Sequence, residues 1–225
     1  MKIIMNSTNT MRRPVANSKI NFIFNVPFSV LLLFALFLIG CEKKETEGSS
    51  GESSFNGKIT AKVENGKDYD SQISTVWALF DAEVNSEGEL IGRMVTDCDY
   101  KNGGFTIELP NVPSSFLMNI ETFFSSGLGI SNELDYSDSD ARILDVDFFG
   151  ISSDGDYVDL FVYTDAASKP VICLFVFSDS NVTVKGKNVD VSIKRGWNRV
   201  YWTPSGNKVT SSSPKNMKWY LYNDL

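Results

Sequence analysis

The chain has no histidine among its 225 residues. That absence excludes Ser-His-Asp and Cys-His nucleophile systems, histidine general-base chemistry and histidine-ligated zinc. Proline is scarce at seven residues and cysteine at three. No proline-rich linker divides the chain, and no dense disulfide framework holds it. Long apolar runs are missing too. A membrane-spanning helix needs roughly 20 apolar residues, whereas the run from Phe28 to Ile39 is twelve apolar or small residues long, with Asn25 and Pro27 interrupting its upstream side. Basic charge is short where nucleic acid would require it. Residues 41–225 carry 17 basic and 28 acidic side chains. Such a body repels phosphate backbones and offers no basic surface for anionic lipid, so nucleic acid is not an expected partner.

What remains is the composition of a globular protein, with 42% hydrophobic and 22% charged residues. Sixteen Phe, eight Tyr and four Trp supply ample core material. All four basic residues of the first forty, Lys2, Arg12, Arg13 and Lys19, precede the apolar run, and no acid accompanies them. A basic start followed by a short apolar stretch is the form of an export signal. The run ends in Leu38-Ile39-Gly40-Cys41. Here the chain resembles the signal segment of bacterial lipoproteins, with an aliphatic residue three before the cysteine and a small residue just before it. The resemblance implies cleavage between Gly40 and Cys41, with diacylglycerol on the Cys41 sulfur and an acyl chain such as palmitate on its new amino group. Several acyl chains give a far more durable membrane anchor than one. The stretch after Cys41, "EKKETEGSSGESS", has no apolar residue and reads as a solvated tether. Its acid-rich start resembles the tag that Bacteroidota place after the lipid cysteine. That likeness implies display at the outer membrane, on the cell surface rather than facing the periplasm. The expected organisation is a signal peptide over 1–40, a lipidated tether over 41–54 and a β domain over 55–225. The alternative is two small sandwiches that split near 125–140.

From Phe55 onward, short β-rich runs alternate with turn residues, which predicts an all-β fold built as an antiparallel β-sandwich. Strands are expected at 57–64, 72–80, 90–97, 104–110, 116–123, 141–150, 157–164, 170–178, 181–186, 189–194, 198–203 and 217–222, with room for a short helix near 111–118 or 128–140. Alternation puts Phe105, Ile107 and Leu109 on one face of "GFTIELP". The run "PVICLFVFS" is apolar on both faces, as a covered central strand would be. The segment from "GKITAKVENG" to "GGFTIELP" resembles transthyretin-like and carboxypeptidase-regulatory-like modules, related to Ig-like sandwiches. The chain as a whole resembles small Bacteroidota surface lipoproteins, and this likeness implies fold and location rather than chemistry.

Cys98 and Cys173 either form a disulfide or stay separate as buried thiols. The stretch "ELDYSDSDARILDVD" is acidic, and calcium prefers clustered carboxylate oxygens, which makes Asp135, Asp138 and Asp140 weak calcium candidates. Its spacing lacks the glycine and closing glutamate of an EF-hand, and the plainer reading is a solvated acidic loop with no metal or other cofactor. Three of the four tryptophans fall in the last quarter. Alternation puts Val200 and Trp202 opposite Arg199 and Tyr201, and Met217, Trp219 and Leu221 opposite Lys218, Tyr220 and Tyr222. If those two strands pair, Tyr201, Tyr220 and Tyr222 form an exposed aromatic shelf, with Trp197 either projecting beside it or pinning its turn to the body. Such shelves stack on sugar rings or anchor proteins. The expected function is a lipid-anchored binding or adhesion module for a glycan or envelope protein, with no catalytic centre. The rivals are a structural accessory of a surface complex and a glycoside hydrolase that uses carboxylates alone.

Overall fold

The structure is a computed structural model that describes residues 55–86, 88–130 and 133–225. In chain order the strands are β1 (Lys58–Lys62), β2 (Thr75–Val84), β3 (Leu90–Lys101), β4 (Gly104–Glu108), β5 (Met118–Asn119), β6 (Asp135–Tyr136), β7 (Arg142–Ile151), β8 (Tyr157–Thr164), β9 (Ile172–Ser178), β10 (Val182–Lys185), β11 (Val189–Ile193), β12 (Gly196–Thr203), β13 (Lys208–Thr210) and β14 (Lys218–Leu221). One helical turn, α1 (Ile120–Thr122), continues as a wider turn through Gly127. The fold is mostly β, a single large and mostly antiparallel sheet ordered β1-β4-β3-β2-β7-β8-β9-β12-β13-β11-β10-β6. β14 is added beside β8 and β5 beside β7. Against the sequence expectation, β11 and β13 pair in parallel.

The sheet is organised by β7, which has two partners along one side. Its first half, Ile143 to Val146, pairs with Phe175 to Ser178 of β9. Its second half, Phe148 to Ile151, pairs with Tyr157 to Phe161 of β8. β8 and β9 pair with each other at Thr164 and Ile172. They therefore diverge from β7 like the arms of a fork. β2 lies along the opposite side of the second half, with Leu79 against Asp147 and Trp77 against Phe149. The sheet also turns back on itself. Val63, just past β1, bridges Trp219 of β14 in parallel, and the Glu64 N–H donates to the Trp219 carbonyl at 2.8 Å.

Two large cores result. The first fills the inside of the curl with Val76, Ala78, Phe105, Ile107, Phe148, Phe161, Phe175 and Trp219. Trp219 stacks on Phe175 with ring centres 5.5 Å apart and on Tyr163 at 5.2 Å, and Phe148 meets it edge-on at 5.6 Å. The curl is tight enough that a Cβ on Gly104 would lie 2.2 Å from the Ala61 carbonyl oxygen, so no side chain is tolerated there. The second core lies on the other side of β9 and β12. Ile143, Val176, Val200 and Val209 pack there under Val184 and Val191 and the helical segment. β7, β9 and β12 serve both cores, and the described residues belong to one compact unit.

The stretch 116–123 differs from the strand that alternation predicts. Two residues of it form β5, and the chain then turns into helix. The Asn119 side chain accepts from the Glu121 N–H at 2.7 Å, capping the turn. Ile120, Phe123 and Phe124 stand at helical spacing, and all three are fully buried in the second core. A short 3-10 turn at Ser114–Phe116 sits within the expected helical region.

Phe148 lies in the ring cluster of the first core with 2% of its surface exposed. Phe148→Ala should cost about 3–5 kcal/mol in urea denaturation. Ile91→Ala, at a position 48% exposed, should stay within about 0.5 kcal/mol of the parent.

Candidate functional site

The outward face of the first layer carries side chains that neither large core uses. Register places them in rows. Across one row, Asp97 of β3 faces Trp77 of β2, Trp77 faces Phe149 of β7, and Phe149 faces Leu160 of β8. In the next row Met94 faces Leu79, and Leu79 faces Asp147. Val162 of β8 faces Tyr220 of β14. Leu79, Phe149 and Ile151 form a small cluster with half-buried Trp77, Leu90, Tyr157 and Leu160 around it. Every member of that cluster comes from β2, β3, β7 or β8 or the connection between β2 and β3. Leu79, Phe149 and Ile151 are themselves buried, so the accessible part of this layer is Trp77, Leu90, Tyr157 and Leu160.

Aromatic geometry gives this face its character. Tyr157 meets the Phe149 ring edge-on at 5.9 Å. Burial first, then the Asp159 and Tyr222 groups nearby, push the Tyr157 hydroxyl up to about 12. Tyr222 therefore stands close to Tyr157, at the β14 margin of the same face. Asp159 itself is buried and accepts from the N–H groups of Leu160 and Asn223 at 2.8 and 3.1 Å. Those bonds tie the C-terminal turn to β8.

Two carboxylates stand on the outward face of β7, between the aromatic cluster and the second core. Asp145 is half-buried and Asp147 exposed. On one strand face, two residues apart, they are separated by about 7 Å of backbone. Burial and then the Asp145 charge lift the Asp147 carboxyl from 3.8 to about 7. Burial also raises Asp145.

The sequence candidates distribute differently from expectation. Tyr220 is half-buried and Tyr222 is 53% exposed, both on the outward side near β8. Tyr201 is not on that surface. It is 4% exposed in the first core, because β12 pairs with β9 and β13 while β14 pairs with β8. The expected pairing of the two C-terminal strands does not occur, so the shelf of Tyr201 with Tyr220 and Tyr222 does not form. Trp197 pins its turn: its indole N–H donates to the Pro110 carbonyl at 2.9 Å and its ring meets Phe177 at 5.4 Å. Half-buried Trp77 and Tyr157 take the place of Tyr201 and Trp197. The signal that would have found them is the outward register of "STVWALF" against "DVDFFG", which becomes readable once β2 is known to pair with β7.

The remaining candidates do not assemble into a site. Asp138 uses one oxygen on the Asp140 N–H and the other on the Ser180 hydroxyl, closing its loop. Asp135 borders a shallow hollow with Lys185 and Gly186. Among the described residues, no group of three acids or cysteines converges to hold a metal ion, so the calcium candidates Asp135, Asp138 and Asp140 do not form a site. Cys98 and Cys173 are free thiols, the first half-buried and the second buried. The disulfide alternative is therefore not realised; burial pushes the Cys98 thiol up to about 11 and raises Cys173 further. Gly40 and Cys41 lie outside the described residues. Among the described residues, no helix is long and apolar enough to cross a membrane.

The raised Asp147 carboxyl has a defined pH consequence. Its folded pKa stands above its unfolded one, so the folded chain holds that proton more tightly. The resulting stability is full below about pH 4 and is lost as pH rises through about 7. Between pH 5 and pH 8, urea denaturation should show the parent losing more stability than Asp147→Asn. Equal losses would place Asp147 in ordinary solvent.

No protein-family model, no curated protein and no solved structure matches the chain.

Proposed function

We propose that the protein is a lipid-anchored module of the cell envelope that binds a glycan on the outward aromatic face of β2, β7, β8 and β14. The observation that carries this reading is the pair of half-buried rings Trp77 and Tyr157, on the outward side of the sheet and seated on buried Phe149. Flat aromatic faces match the apolar faces of sugar rings, and carboxylates beside them accept hydrogen bonds from sugar hydroxyls. Asp97 and Asp147 stand next to Trp77 and Leu79 in register. The acidic body favours a neutral sugar over a phosphorylated one. The role is binding rather than catalysis.

The anchor belongs to the same proposal. A basic start, a twelve-residue apolar run, Gly40-Cys41 and a polar tether together support lipidation at Cys41 and display at the outer membrane. The finer architectural reading is a β-sandwich. The β9–β12 part of the sheet lying between two cores supports it, and the forked β7 makes it an irregular one.

A second reading, as an accessory subunit of a surface complex, is favoured by a different feature. β4 pairs with β3 at Tyr100 and Lys101, leaving the Leu90–Thr96 margin of β3 without a partner strand among the described residues. Ile91 and Met94 there are 48% and 43% exposed. Open margins of that kind accept added strands, although the bulge between Met94 and Thr96 works against it.

Two experiments test the first reading. On a glycan array, full-length parent protein should bind a defined glycan class, and Trp77→Ala and Tyr157→Ala should each weaken it about tenfold while the circular dichroism spectrum is kept. Unchanged binding in both variants removes the aromatic face from the account. Separately, Cys41→Ser should lose palmitate labelling and leave the membrane fraction. Retention of the label would assign the anchor elsewhere.

A further inference from the structure

A polar hollow of about 350 Å³ opens where the start of β2 and the end of β3 meet the turn between β7 and β8. Asp70, Gln72, Ile73, Asp99, Lys101 and Ser153 line it. Register joins this hollow to the outward face. Thr75 of β2 stands between Asp99 of β3 and Ile151 of β7, and Ile151 faces Tyr157 of β8. That row lies two residues, about 7 Å, along the strands from the row of Trp77 and Phe149. Asp99 therefore belongs both to the face and to the hollow.

Backbone bonds hold the floor and rim in place. Buried Ile73 and Tyr100 close the bottom of the hollow. Between them in space, the Ser74 N–H donates to the Ile151 carbonyl at 2.8 Å, and the Ser74 carbonyl accepts the Tyr100 N–H at 2.9 Å. One carboxylate oxygen of Asp70 accepts the Gly103 N–H at 2.9 Å. On the rim, Lys101 Nζ stands 3.8 Å from Asp99 Oδ2, and both side chains reach solvent. This spacing makes an ion pair but exceeds the roughly 2.7–3.2 Å of a direct hydrogen bond. The carboxylate and the ammonium therefore keep their hydrogen-bonding capacity for a third group.

Two neighbouring hydroxyls of a sugar ring fit between such a pair. One hydroxyl donates to Asp99 and the next accepts from Lys101, and each bond is strengthened by the charge of its protein partner. Gln72 adds an amide that both donates and accepts. The volume is at the small end of ligand pockets, about 300–1,000 Å³, and suits one ring rather than a chain of them. We propose that the hollow holds the terminal sugar of a neutral glycan, gripped through two neighbouring hydroxyls by Asp99 and Lys101. The assignment rests on the glycan reading of the adjoining face and adds the unit at which that glycan ends; the rest of the chain runs back over Trp77. Two carboxylates, Asp70 and Asp99, against the single ammonium of Lys101 disfavour a sugar acid.

The test uses the full chain in detergent, labelled with nitrogen-15, and the methyl glycosides of glucose, galactose and mannose as probes. The side-chain amide signal of Gln72 is assigned by its loss in Gln72→Glu, and the indole N–H of Trp77 by its loss in Trp77→Phe. At least one glycoside should move the Gln72 signal with a saturable curve. Its 3-deoxy analogue, which has no two neighbouring hydroxyls, should bind about tenfold more weakly, and Asp99→Asn should weaken the parent glycoside by a similar factor. The proposal is overturned if no glycoside moves the Gln72 signal, if the 3-deoxy analogue moves it equally, or if Asp99→Asn binds as the parent does. The Trp77 signal reports the aromatic face separately. Movement at Trp77 with Gln72 still removes the hollow and keeps the glycan reading, whereas movement at Gln72 with Trp77 still supports the hollow and counts against the aromatic face.

Discussion

The structure depends on the double use of β7. Its inward residues Leu144, Val146 and Phe148 fill the first core, while Ile143 on the opposite face enters the second. Side chains on a strand alternate, so a one-residue slip would exchange these sets and place Asp145 and Asp147 in the aromatic core. Burial of charge at that position is costly enough to fix the register on its own. The fork follows from the same strand. β9 covers the half of β7 that carries Ile143, and β8 covers the half that carries Phe149. Each arm then recruits its own neighbour, β12 on one side and β14 on the other.

The candidate surface is a by-product of that arrangement. Beyond the second core, the last outward residues of β7 are exposed Asp147 and then Phe149 and Ile151, which neighbouring side chains bury. β2 and β8 supply Trp77, Leu79 and Leu160 in register beside them. Half-buried Trp77, Tyr157 and Leu160 cover the buried Leu79, Phe149 and Ile151, and carboxylates edge the layer. Its rigidity comes from below, since Val76, Ala78, Phe148 and Phe161 on the reverse sides of the same strands are locked in the first core. A rigid aromatic surface loses little conformational entropy on binding, which suits a weak, neutral ligand such as a sugar.

Much of this was legible in the residue pattern, and the limits are instructive. "GFTIELP" alternates as it folds, with Phe105, Ile107 and Leu109 buried. "PVICLFVFS" is covered on both faces, Phe175 in one core and Val176 in the other. Val200 and Trp202 do lie opposite Tyr201, and Trp219 and Leu221 opposite Tyr220. Alternation reports which residues share a face but not which strand lies next door. Pairing β12 with β14 put Tyr201 on a surface; pairing β12 with β9 and β13 puts it in the core. The helical turn at Ile120 was hidden by the same ambiguity, since Phe116, Met118 and Ile120 alternate while Ile120, Phe123 and Phe124 have helical spacing. β6 and β13, of two and three residues, are too short to carry a pattern.

Native-state hydrogen exchange along β7, β9 and β12 reads the sharing of these strands directly. Strands shared by two cores should open only with the whole domain. Amides of Leu144, Val176 and Val200 should then exchange with one common free energy, equal to that of global unfolding by urea. Exchange of β10, β11 and β13 at a distinctly lower free energy, with β9 and β12 following them, would contradict the account and show the second core to be a separable unit.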